Sequence, residues 1–507
     1  MLDLIIAGCG PVGAMAGNLA GRLGLTTAVL DRATEVFDLP RAIHFDVHIM
    51  RILQQVGLAA ELLPDVRVWQ RSTFYGADAS PIRVHDWPTD KPYGWDAHYL
   101  FYQPALEAAL RSGLGRLGNV DVQLGVEVLA VEQHDDHVTV TAADVGSGAV
   151  RRLSARYLIG ADGAASFVRN STGIPLVDGD FDEPWLVVDL RCEREIGRPN
   201  ESEMFCDPAR PATRVPGPGN HHRWEFMLLP GETPADIQRP ESIRALLAPW
   251  VSLDEAEIIR ASVYRFHSLI AQKWRRGRVF LAGDAAHQTP PFLGQGMCHG
   301  MRDVHNLVTK LAAVRAGGPA GQLLDSYEAE RRPHVERIIG MAVAAGREIC
   351  LLDPAEARER DRRLRHAAAS GDLPRTTFQG MPPLTGGLFD ATPGTGELFL
   401  QPPVLDDRGS SRLFDDAIPP RVVVVALGAA VPEIRATAEE LGIPIVAVDD
   451  PTGDPLIRDQ TVRDWFDRHG VRFAIVRPDR YVLGTAGSAD KATALMRTAR
   501  TYFPAAV

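Results

Sequence analysis

The sequence predicts an α/β protein of several domains, and three observations support this prediction. The N-terminus reads as a strand, a glycine-rich turn and a helix, in "LDLIIAG", "GCGPVG" and "AMAGNLAGRLG". Strands separated by proline-rich loops dominate residues 180–275, which predicts a separate sheet-based domain. Strands and helices alternate compactly after residue 401. The chain has 507 residues, and that length favours about two to four domains.

The composition excludes several classes of function. The net charge of −11 argues against a nucleic-acid partner, because phosphate chains are bound by clustered Lys and Arg. The five cysteines form no CxxC pair, so we expect no disulfide framework, no metal site and a cytoplasmic location. No apolar run of about 18 residues is free of charges and helix breakers, so we expect no membrane span.

The N-terminal unit predicts a Rossmann-like dinucleotide-binding fold. Its GxGxxG motif follows a strand and opens a helix, so the backbone can approach a pyrophosphate and the helix N-terminus can offer free N–H groups. An acid at the end of the next strand, "TTAVLDR", can accept hydrogen bonds from a ribose. The motif alone does not distinguish NAD from FAD. The candidate cofactor residues of this unit are Gly8, Gly10, Pro11, Gly13, Asp31 and Arg32.

Two further motifs favour FAD. "IGADGAASFVR" follows a strand near residue 159 and carries Asp162. "RVFLAGD" places Asp284 at the C-terminal end of another strand, where ligands of α/β sheets collect. "GQGM" then opens a long helix, whose N–H groups suit the pyrimidine end of a reduced, anionic flavin.

These three motifs, in this order and at this spacing, resemble the class A flavoprotein monooxygenases, the aromatic hydroxylases typified by para-hydroxybenzoate hydroxylase. The resemblance covers about residues 1–350. "LPRAIHFD", "YQPALE", "FDEPWLVVDL", "HRWEFMLLPG" and "PPFLGQGMCHGMRDVHNL" look like the branch that contains 3-(3-hydroxyphenyl)propionate hydroxylase. The C-terminal region resembles the thioredoxin-like tail of that branch and of phenol hydroxylases.

The resemblance implies a particular domain organisation. A Rossmann-like FAD-binding domain of the GR2 type is interleaved with a β-sheet substrate domain, and a thioredoxin-like α/β domain follows. The implied divisions are 1–73, 98–180 and 278–352 for the FAD-binding domain, 74–97 and 181–277 for the substrate-binding domain, 353–400 for a linker and 401–507 for the thioredoxin-like domain.

The resemblance also implies cofactor residues beyond the first turn. Arg41 would lie along the FAD phosphates or ribityl chain, and Asp162 would help to bind FAD and NAD(P)H. The remaining implied residues contact the ribityl chain, the flavin ring or its pyrimidine edge: Gln103, Gly283, Asp284, Pro291, Gly294, Gly296 and Met297.

The implied activity is monooxygenation. NAD(P)H reduces FAD, O₂ forms a flavin hydroperoxide, and one oxygen atom is transferred to a phenolic ring. Two alternatives stay open: a polyketide or antibiotic tailoring oxygenase that performs epoxidation or Baeyer–Villiger insertion, and a non-catalytic flavin-binding protein. The partners implied are a small aromatic substrate and O₂, and a homodimer is left open.

A base near the substrate is expected, because a phenolate is hydroxylated more easily than a phenol. His44 and Asp46, just after Arg41, are the candidates, although Asp46 suits a helix cap equally well. His48 stands where relatives commonly carry an acid, so its role is open. His267 and Tyr264 are weaker candidates.

Two thiol hypotheses are disfavoured. Neighbouring helical residues diverge by about 100°, so Cys298 and His299 do not form a thiolate and its base. The tail has no cysteine after Cys350, which argues for a structural or dimerising role and against dithiol chemistry.

Overall fold

The computed structural model describes residues 1–37, 39–371, 381–406, 408–450 and 455–504. The strands are, in chain order, β1 (Leu2–Ala7), β2 (Thr27–Asp31), β3 (His44–Asp46), β4 (Val66–Val68), β5 (Arg71–Tyr75), β6 (Pro81–Asp86), β7 (His98–Phe101), β8 (Val120–Leu124), β9 (Val126–Gln133), β10 (Val138–Asp144), β11 (Val150–Gly160), β12 (Leu176–Cys192), β13 (Glu201–Phe205), β14 (Ala212–Pro216), β15 (His221–Met227), β16 (Ala256–Ala271), β17 (Arg275–Arg276), β18 (Val279–Leu281), β19 (His287–Gln288), β20 (Pro403–Leu405), β21 (Ser411–Leu413), β22 (Val423–Leu427), β23 (Ile445–Val448), β24 (Leu456–Ile457), β25 (Phe473–Val476) and β26 (Val482–Ala486).

The helices connect and cover these strands. In chain order they are α1 (Pro11–Arg22), α2 (Val47–Gln55), α3 (Ala59–Leu62), α4 (Gln103–Leu114), α5 (Phe167–Ser171), α6 (Pro234–Ile237), α7 (Pro240–Leu247), α8 (Gly296–Arg315), α9 (Ala320–Ile349), α10 (Pro354–Ser370), α11 (Phe414–Ala417), α12 (Pro432–Leu441), α13 (Gln460–His469) and α14 (Ala489–Tyr502). Short 3₁₀ turns lie at Leu63–Asp65, Gly283–Ala285 and Pro291–Leu293.

The first sheet confirms the Rossmann-like prediction. Its main order is β17-β18-β11-β1-β2-β8, and β9 and β10 extend it beside β11. β1 pairs in parallel with β11 and β2, and β18 continues the parallel set beyond β11. The central strands β1, β2 and β18 and the end of β11 are apolar and largely buried, as the central strands of a covered parallel sheet are. α1 packs between α4 and α8, so the first turn of the chain lies under the start of α8.

The second sheet is the expected sheet-based region. Its order is β19-β16-β12-β15-β14-β13-β5-β6, so an early hairpin of the chain joins strands that come much later. One face is covered by α6 and α7 around Val188, Trp224 and Leu247. The sheet takes in β5 from Arg71 and β12 from Leu176, a few residues inside the stretches expected for the FAD-binding domain, and the division into domains stays a prediction. A small sheet, β3-β7-β4, lies between the two.

The third sheet has the topology of a thioredoxin-like domain. β22, α12 and β23 form a parallel unit, and β25 and β26 then add antiparallel strands on the other side of β22. The resulting order β23-β22-β25-β26 is extended by β24, β20 and β21. α14 closes the domain and packs on α12 and β26.

The stretch predicted as a linker, residues 353–400, begins with a helix. Residues 354–370 form helix α10, whose N-terminus is capped by Asp353 through the N–H groups of Ala355 (2.7 Å) and Glu356 (2.9 Å). Most of the charged residues face solvent, while Arg360 and Asp361 are buried against the second sheet. The charges that resembled a linker are therefore the solvated face of a helix. Residues 372–380 lie outside the described residues.

Within the described ranges, no helix combines the length and the apolar character that crossing a bilayer requires.

Candidate cofactor site and active site

The predicted cofactor motifs converge on one edge of the first sheet. The strands β1, β2, β11 and β18 run parallel, so the loops that follow them meet at their carboxyl ends. Backbone hydrogen bonds join these loops directly. Gly8 N donates to Leu30 O (2.7 Å), Ala161 N to Ala7 O (2.8 Å) and Ala282 N to Gly160 O (3.0 Å).

The turn between β1 and α1 is shaped by close backbone approach. Gly8 has a φ of +100°, and a Cβ there would overlap the carbonyl oxygen of Ala161. A Cβ on Gly13 would overlap the carbonyl oxygen of Gly8. Gly10 is different, because no atom of the described residues lies within 4 Å of the position its Cβ would take. Helix α1 starts at Pro11 without a side-chain cap from the described residues, so its first N–H groups face this open space.

Asp31 is oriented by the same turn. Its carboxylate accepts hydrogen bonds from Cys9 N (2.6 Å) and Ala33 N (2.8 Å) at the end of β2. Arg32 is exposed beside it. Burial raises the pKa of the Cys9 thiol to about 11, so this cysteine is an inert packing residue.

Asp162 organises the second motif internally. Its carboxylate accepts hydrogen bonds from Ser166 Oγ (2.5 Å) and Val168 N (3.0 Å), which anchors α5 to the turn after β11. Arg169 then donates to Ala164 O (2.9 Å) and Ala285 O (3.1 Å), so it joins this turn to the segment around Asp284.

Asp284 projects from a buried turn into accessible space. Gly283 and Ala285 are fully buried, whereas the side chain of Asp284 is exposed. Gly283 has a φ of +60°, and the position its Cβ would take lies 3.0 Å from Val12 Cγ2 at the start of α1. The turn that carries Asp284 therefore packs on the start of α1, and the exposed carboxylate is available to accept hydrogen bonds from hydroxyl groups.

A second helix N-terminus faces the same edge. The 3₁₀ turn Pro291–Leu293 ends at Gly294, which has a φ of +61°, and α8 begins at Gly296. In the described part of the chain, no side chain caps α8 and no atom lies within 4 Å of the place of a Cβ on Gly296. Met297 is half-buried beside it. We call residues 294–297 the α8 entry segment.

Arg41 and Gln103 belong to one clamped loop. Gln103 Oε1 accepts hydrogen bonds from Arg41 N (3.0 Å) and Ala42 N (2.6 Å), and Gln103 Nε2 donates to Glu107 (2.6 Å). Arg223 on β15 donates to Arg41 O (2.7 Å). The backbone of the loop is held from both sides, and the Arg41 guanidinium is exposed.

His44 supports the α8 entry segment from below. Its Nδ1 lies 3.2 Å from Gly294 O, and its Nε2 lies 3.0 Å from His98 Nδ1. A carbonyl only accepts, so Nδ1 carries the proton and Nε2 accepts from His98. Burial, followed by the neighbouring His98, lowers the pKa of His44 to about 3. The imidazole is neutral at ordinary pH, and both ring nitrogens are used in hydrogen bonds.

Asp46 forms a buried ion pair. Its carboxylate contacts Arg302 on α8 and also caps α2 by accepting from His48 N (3.1 Å). Burial alone would raise the pKa of Asp46, but the positive charge of Arg302 outweighs it and holds the pKa below its usual value. Arg302 also donates to Gln295 Oε1 (3.0 Å), so this pair reaches the α8 entry segment.

These contacts bear on the predicted catalytic pair. His44 contacts Gly294 directly and Asp46 reaches Gln295 through Arg302, so each is engaged in hydrogen bonds or an ion pair that position backbone. The contacts favour a positioning role over that of a base. Of the weaker candidates, Tyr264 packs under Arg260, 4.4 Å from ring centroid to guanidinium, and His267 lies 3.6 Å from Asp182.

Arg302 is the site residue that the sequence reasoning missed. It lies in "MRDVHNL", where the helical spacing of apolar residues drew attention away from four polar ones. All four are buried: Arg302, Asp303, His305 and Asn306. A run of four polar residues inside a largely apolar helix could have indicated Arg302 from the sequence, because a charge on a buried helix is expected to have a partner.

The structure gives Cys298 a packing role. Cys298 is fully buried, and burial raises the pKa of its thiol to about 12. Its Sγ lies 3.8 Å from the carbonyl oxygens of His44 and Gly294, which is a packing contact. Across the residues that the structure describes, no three His, Cys, Asp or Glu side chains are placed to hold a metal ion.

Comparison with protein families and curated proteins gives consistent matches. A family model described as FAD binding domain matches residues 1–342, and one described as HcaD C-terminal domain matches residues 396–501. The chain is 35% identical to a 3-(3-hydroxy-phenyl)propionate/3-hydroxycinnamic acid hydroxylase of Burkholderia cenocepacia (strain HI2424), over 97% of this chain and 95% of the relative. It is 34% identical to a probable NADH-specific resorcinol 4-hydroxylase of Rhodococcus jostii (strain RHA1), over 98% and 94%.

Solved structures share the architecture along the whole chain. The flavin-dependent monooxygenase PieE, in complex with FAD and substrate, has a TM-score of 0.84 at 20% identity and is matched over 99% of this chain and 98% of its own. OxyS anhydrotetracycline hydroxylase from Streptomyces rimosus has a TM-score of 0.75 at 26% identity, over 99% of both chains.

Proposed function

Since the chain belongs to the class A FAD-dependent monooxygenases and is an aromatic hydroxylase, we propose that it hydroxylates a phenol with a substituent in the meta position and takes its electrons from NADH. The named substrates of the two curated relatives, a 3-hydroxyphenyl acid and resorcinol, share this ring pattern. Only one of these relatives is named for a nicotinamide cofactor, which is NADH.

The convergence of the motifs at one sheet edge carries the proposal. The space beside Gly10 and the uncapped start of α1 fit a pyrophosphate, because free N–H groups and the helix dipole favour an anion there. The exposed carboxylate of Asp284 suits ribityl hydroxyls, and Asp31 suits the adenosine ribose. The α8 entry segment suits the pyrimidine edge of the flavin. When bound and reduced, FAD supplies the activation of O₂.

The protein's own residues then orient and shield. In this proposal His44 holds Gly294, and the Asp46–Arg302 pair holds Gln295, so both act on the reaction through the α8 entry segment. A neutral imidazole with a pKa of about 3 is a weak acceptor of a phenolic proton near neutral pH. His44 and Asp46 are therefore assigned to positioning, and the base that ionises the phenol is a different group.

The packing around the 3₁₀ turn Pro291–Leu293 supports an aromatic substrate. Phe292 is enclosed by Phe181, Trp185 and Phe266, with ring centroids 5.7 to 6.1 Å apart. Leu293 packs in a buried cluster with Trp69, Trp87, Leu100, Ile338 and Ala342. Apolar and aromatic side chains therefore pack beside this part of the site, which suits an aromatic substrate.

A substrate screen tests the proposal. The purified protein should be yellow, and NADH oxidation should rise on addition of 3-(3-hydroxyphenyl)propionate or resorcinol more than with the para isomers. The product should gain one oxygen atom by mass. A protein that stays colourless after addition of FAD would overturn the flavin assignment, and FAD binding without turnover of any phenol would favour a non-catalytic flavin protein.

A variant pair tests the placement of the cofactor. Asp284→Ala should weaken FAD binding by about tenfold to a hundredfold, because it removes hydrogen bonds to a charged acceptor. Asp90→Ala changes an acid that is also exposed but lies in the loop between β6 and β7, outside the loops that follow β1, β2, β11 and β18, and it should leave FAD binding unchanged. Equal FAD dissociation constants for the two variants would contradict the placement.

The second candidate is a tailoring oxygenase for a polycyclic substrate. It is favoured by the 26% identity to the anhydrotetracycline hydroxylase over 99% of both chains. Adding anhydrotetracycline to the same screen separates the two proposals, because NADH oxidation coupled to oxygenation of the polycycle, and not of simple phenols, would favour the second.

A further inference from the structure

The thioredoxin-like domain is joined to the flavin-site helices by a buried charge cluster. Arg477 follows β25 and donates to both carboxylate oxygens of Glu330 on α9 (3.0 and 3.1 Å). Lys310 on α8 pairs with the same carboxylate at 2.7 Å, and Asp479 contacts Arg477 at 2.6 Å. These four side chains are completely buried. Arg477 and Lys310 outweigh the effect of burial and lower the pKa of Glu330 to about 2.

A second cluster fixes the next residue of the same turn. Arg480 has a φ of +68° and pairs with Asp415 at 3.0 Å. Asp415 also pairs with Arg51 of α2 at 2.8 Å, and Arg51 donates to Phe399 O (2.6 Å). Paired charges buried on both sides of an interface hold it in one register, because breaking one pair leaves an uncompensated charge. The turn 477–481 is therefore held in one position in the buried interface between the thioredoxin-like domain and the rest of the chain.

The last residue of this turn, Tyr481, contacts His48, which is hydrogen-bonded to Arg302 beneath the α8 entry segment. Tyr481 packs edge-to-face on His48, with ring centroids 5.6 Å apart. His48 Nδ1 accepts a hydrogen bond from Arg302 Nε (3.2 Å), so its proton is on Nε2, which has no hydrogen-bond partner among the described residues. Arg302 in turn contacts Asp46 and Gln295. Three contacts therefore connect the tail to the α8 entry segment: Tyr481 with His48, His48 with Arg302, and Arg302 with Gln295.

We propose that the C-terminal domain is a positioning element of the flavin site, in which Tyr481 holds His48 against Arg302 and thereby fixes the α8 entry segment. The inference rests on the proposed function, since it takes that segment as the floor of the flavin. This role of the tail needs no cysteine. It also assigns a role to His48, because an imidazole can accept a hydrogen bond from Arg302 with one nitrogen while its other edge packs on an aromatic ring.

The experiment compares three full-length holoenzymes with the wild type. Tyr481→Ala removes the ring, Tyr481→Phe retains it, and Gln401→Leu removes a tail-to-body hydrogen bond of the same interface (Gln401 Nε2 to Tyr93 O, 2.7 Å) that does not touch His48 or Arg302. The measurements are the FAD dissociation constant, the visible spectrum of bound FAD, the NADH consumed per product formed and the thermal midpoint.

Tyr481→Ala should raise the FAD dissociation constant by about threefold to tenfold, the range that an aromatic pair supplies. It should also shift the flavin spectrum and waste NADH, while Tyr481→Phe restores wild-type values. Gln401→Leu should lower the thermal midpoint and leave FAD binding unchanged. Wild-type FAD binding in Tyr481→Ala, or an equal loss in Gln401→Leu, would overturn the inference.

If Tyr481→Ala does not fold, a second variant tests whether the contact between Tyr481 and His48 supports FAD binding. His48→Asn keeps an acceptor for Arg302 but removes the ring that meets Tyr481, so it should reproduce the loss of FAD affinity. Combined with Tyr481→Ala in a folded protein it should add little, because both changes break one contact. Failure of the wild type to bind FAD would refute the proposed function instead, which separates the two failures.

Discussion

The two helix N-termini at the proposed flavin site are built in different ways. The start of α1 is held by backbone against backbone, with Gly13 against the carbonyl of Gly8 and Gly8 against Ala161. The start of α8 is held by side chains that come from distant parts of the chain: His44 under Gly294, and Arg302 between Asp46 and Gln295.

This difference predicts which kind of change, an added atom or an altered charge, disturbs each N-terminus. The turn after β1 tolerates no added atom at Gly8 or Gly13, and because its closest contacts join backbone to backbone, its shape depends little on charge. A segment held by a buried ion pair and a neutral imidazole depends on every partner and on pH. The following predictions test the contrast, beginning with the largest effect.

Arg302→Met should destabilise the protein most. It leaves the buried carboxylate of Asp46 without its counter-charge, which costs about 3–5 kcal/mol. The free energy of unfolding, from denaturant titration of the FAD-loaded protein, checks this. Adding Asp46→Asn should recover part of the loss, because the unpaired charge is then gone; a double variant that is weaker by the sum of both single losses would contradict the ion-pair account.

Gly13→Ala should destabilise by about 1–3 kcal/mol, the cost of overpacking, and should abolish FAD retention. The added methyl group has to displace the carbonyl of Gly8. Gly10→Ala is the matched control, because Gly10 has a φ of −72° and faces open space. We expect Gly10→Ala to keep the wild-type thermal midpoint, and a similar midpoint for both variants would break the contrast.

Acid should loosen the α8 entry segment before the turn at Gly8. The pKa of His44 falls from 6.5 to about 3 on folding. Between these values the unfolded chain binds a proton that the folded chain does not, so stability decreases as the pH falls, by up to about 1.4 kcal/mol per pH unit. His44→Gln should therefore show a shallower loss of the free energy of unfolding between pH 6.5 and 4. An unchanged slope would remove His44 from the explanation.

Cys298→Ser should have the smallest effect. The thiol is protonated and buried, and its 3.8 Å contacts to carbonyl oxygens suit a hydroxyl as well. Turnover with a phenol should stay near that of the wild type. Loss of activity with FAD still bound and the thermal midpoint unchanged would revive a chemical role for this cysteine.

The same difference explains how much of each N-terminus could be predicted from the sequence. The GxGxxG turn, the acid at the end of β2 and the glycines before α8 could all be read from short stretches, since each needs particular residues at fixed spacing. The prediction of His44 and Asp46 as base rested on adjacent residues and did not include their partners His98 and Arg302, which lie 54 and 256 residues away. The predicted linker concealed α10, because a charged helix face resembles a solvated loop in composition.

The fold class, the cofactor motifs and the family could be predicted from short stretches of sequence, because local backbone geometry and strand–turn–helix order are encoded in adjacent residues. The folded chain was needed to show which charges are buried, how they are paired, and that the turn 477–481 of the tail lies against α2, α8 and α9. The physical reason is that pairing a buried charge depends on which distant segments meet, and one chain's local pattern does not contain that information.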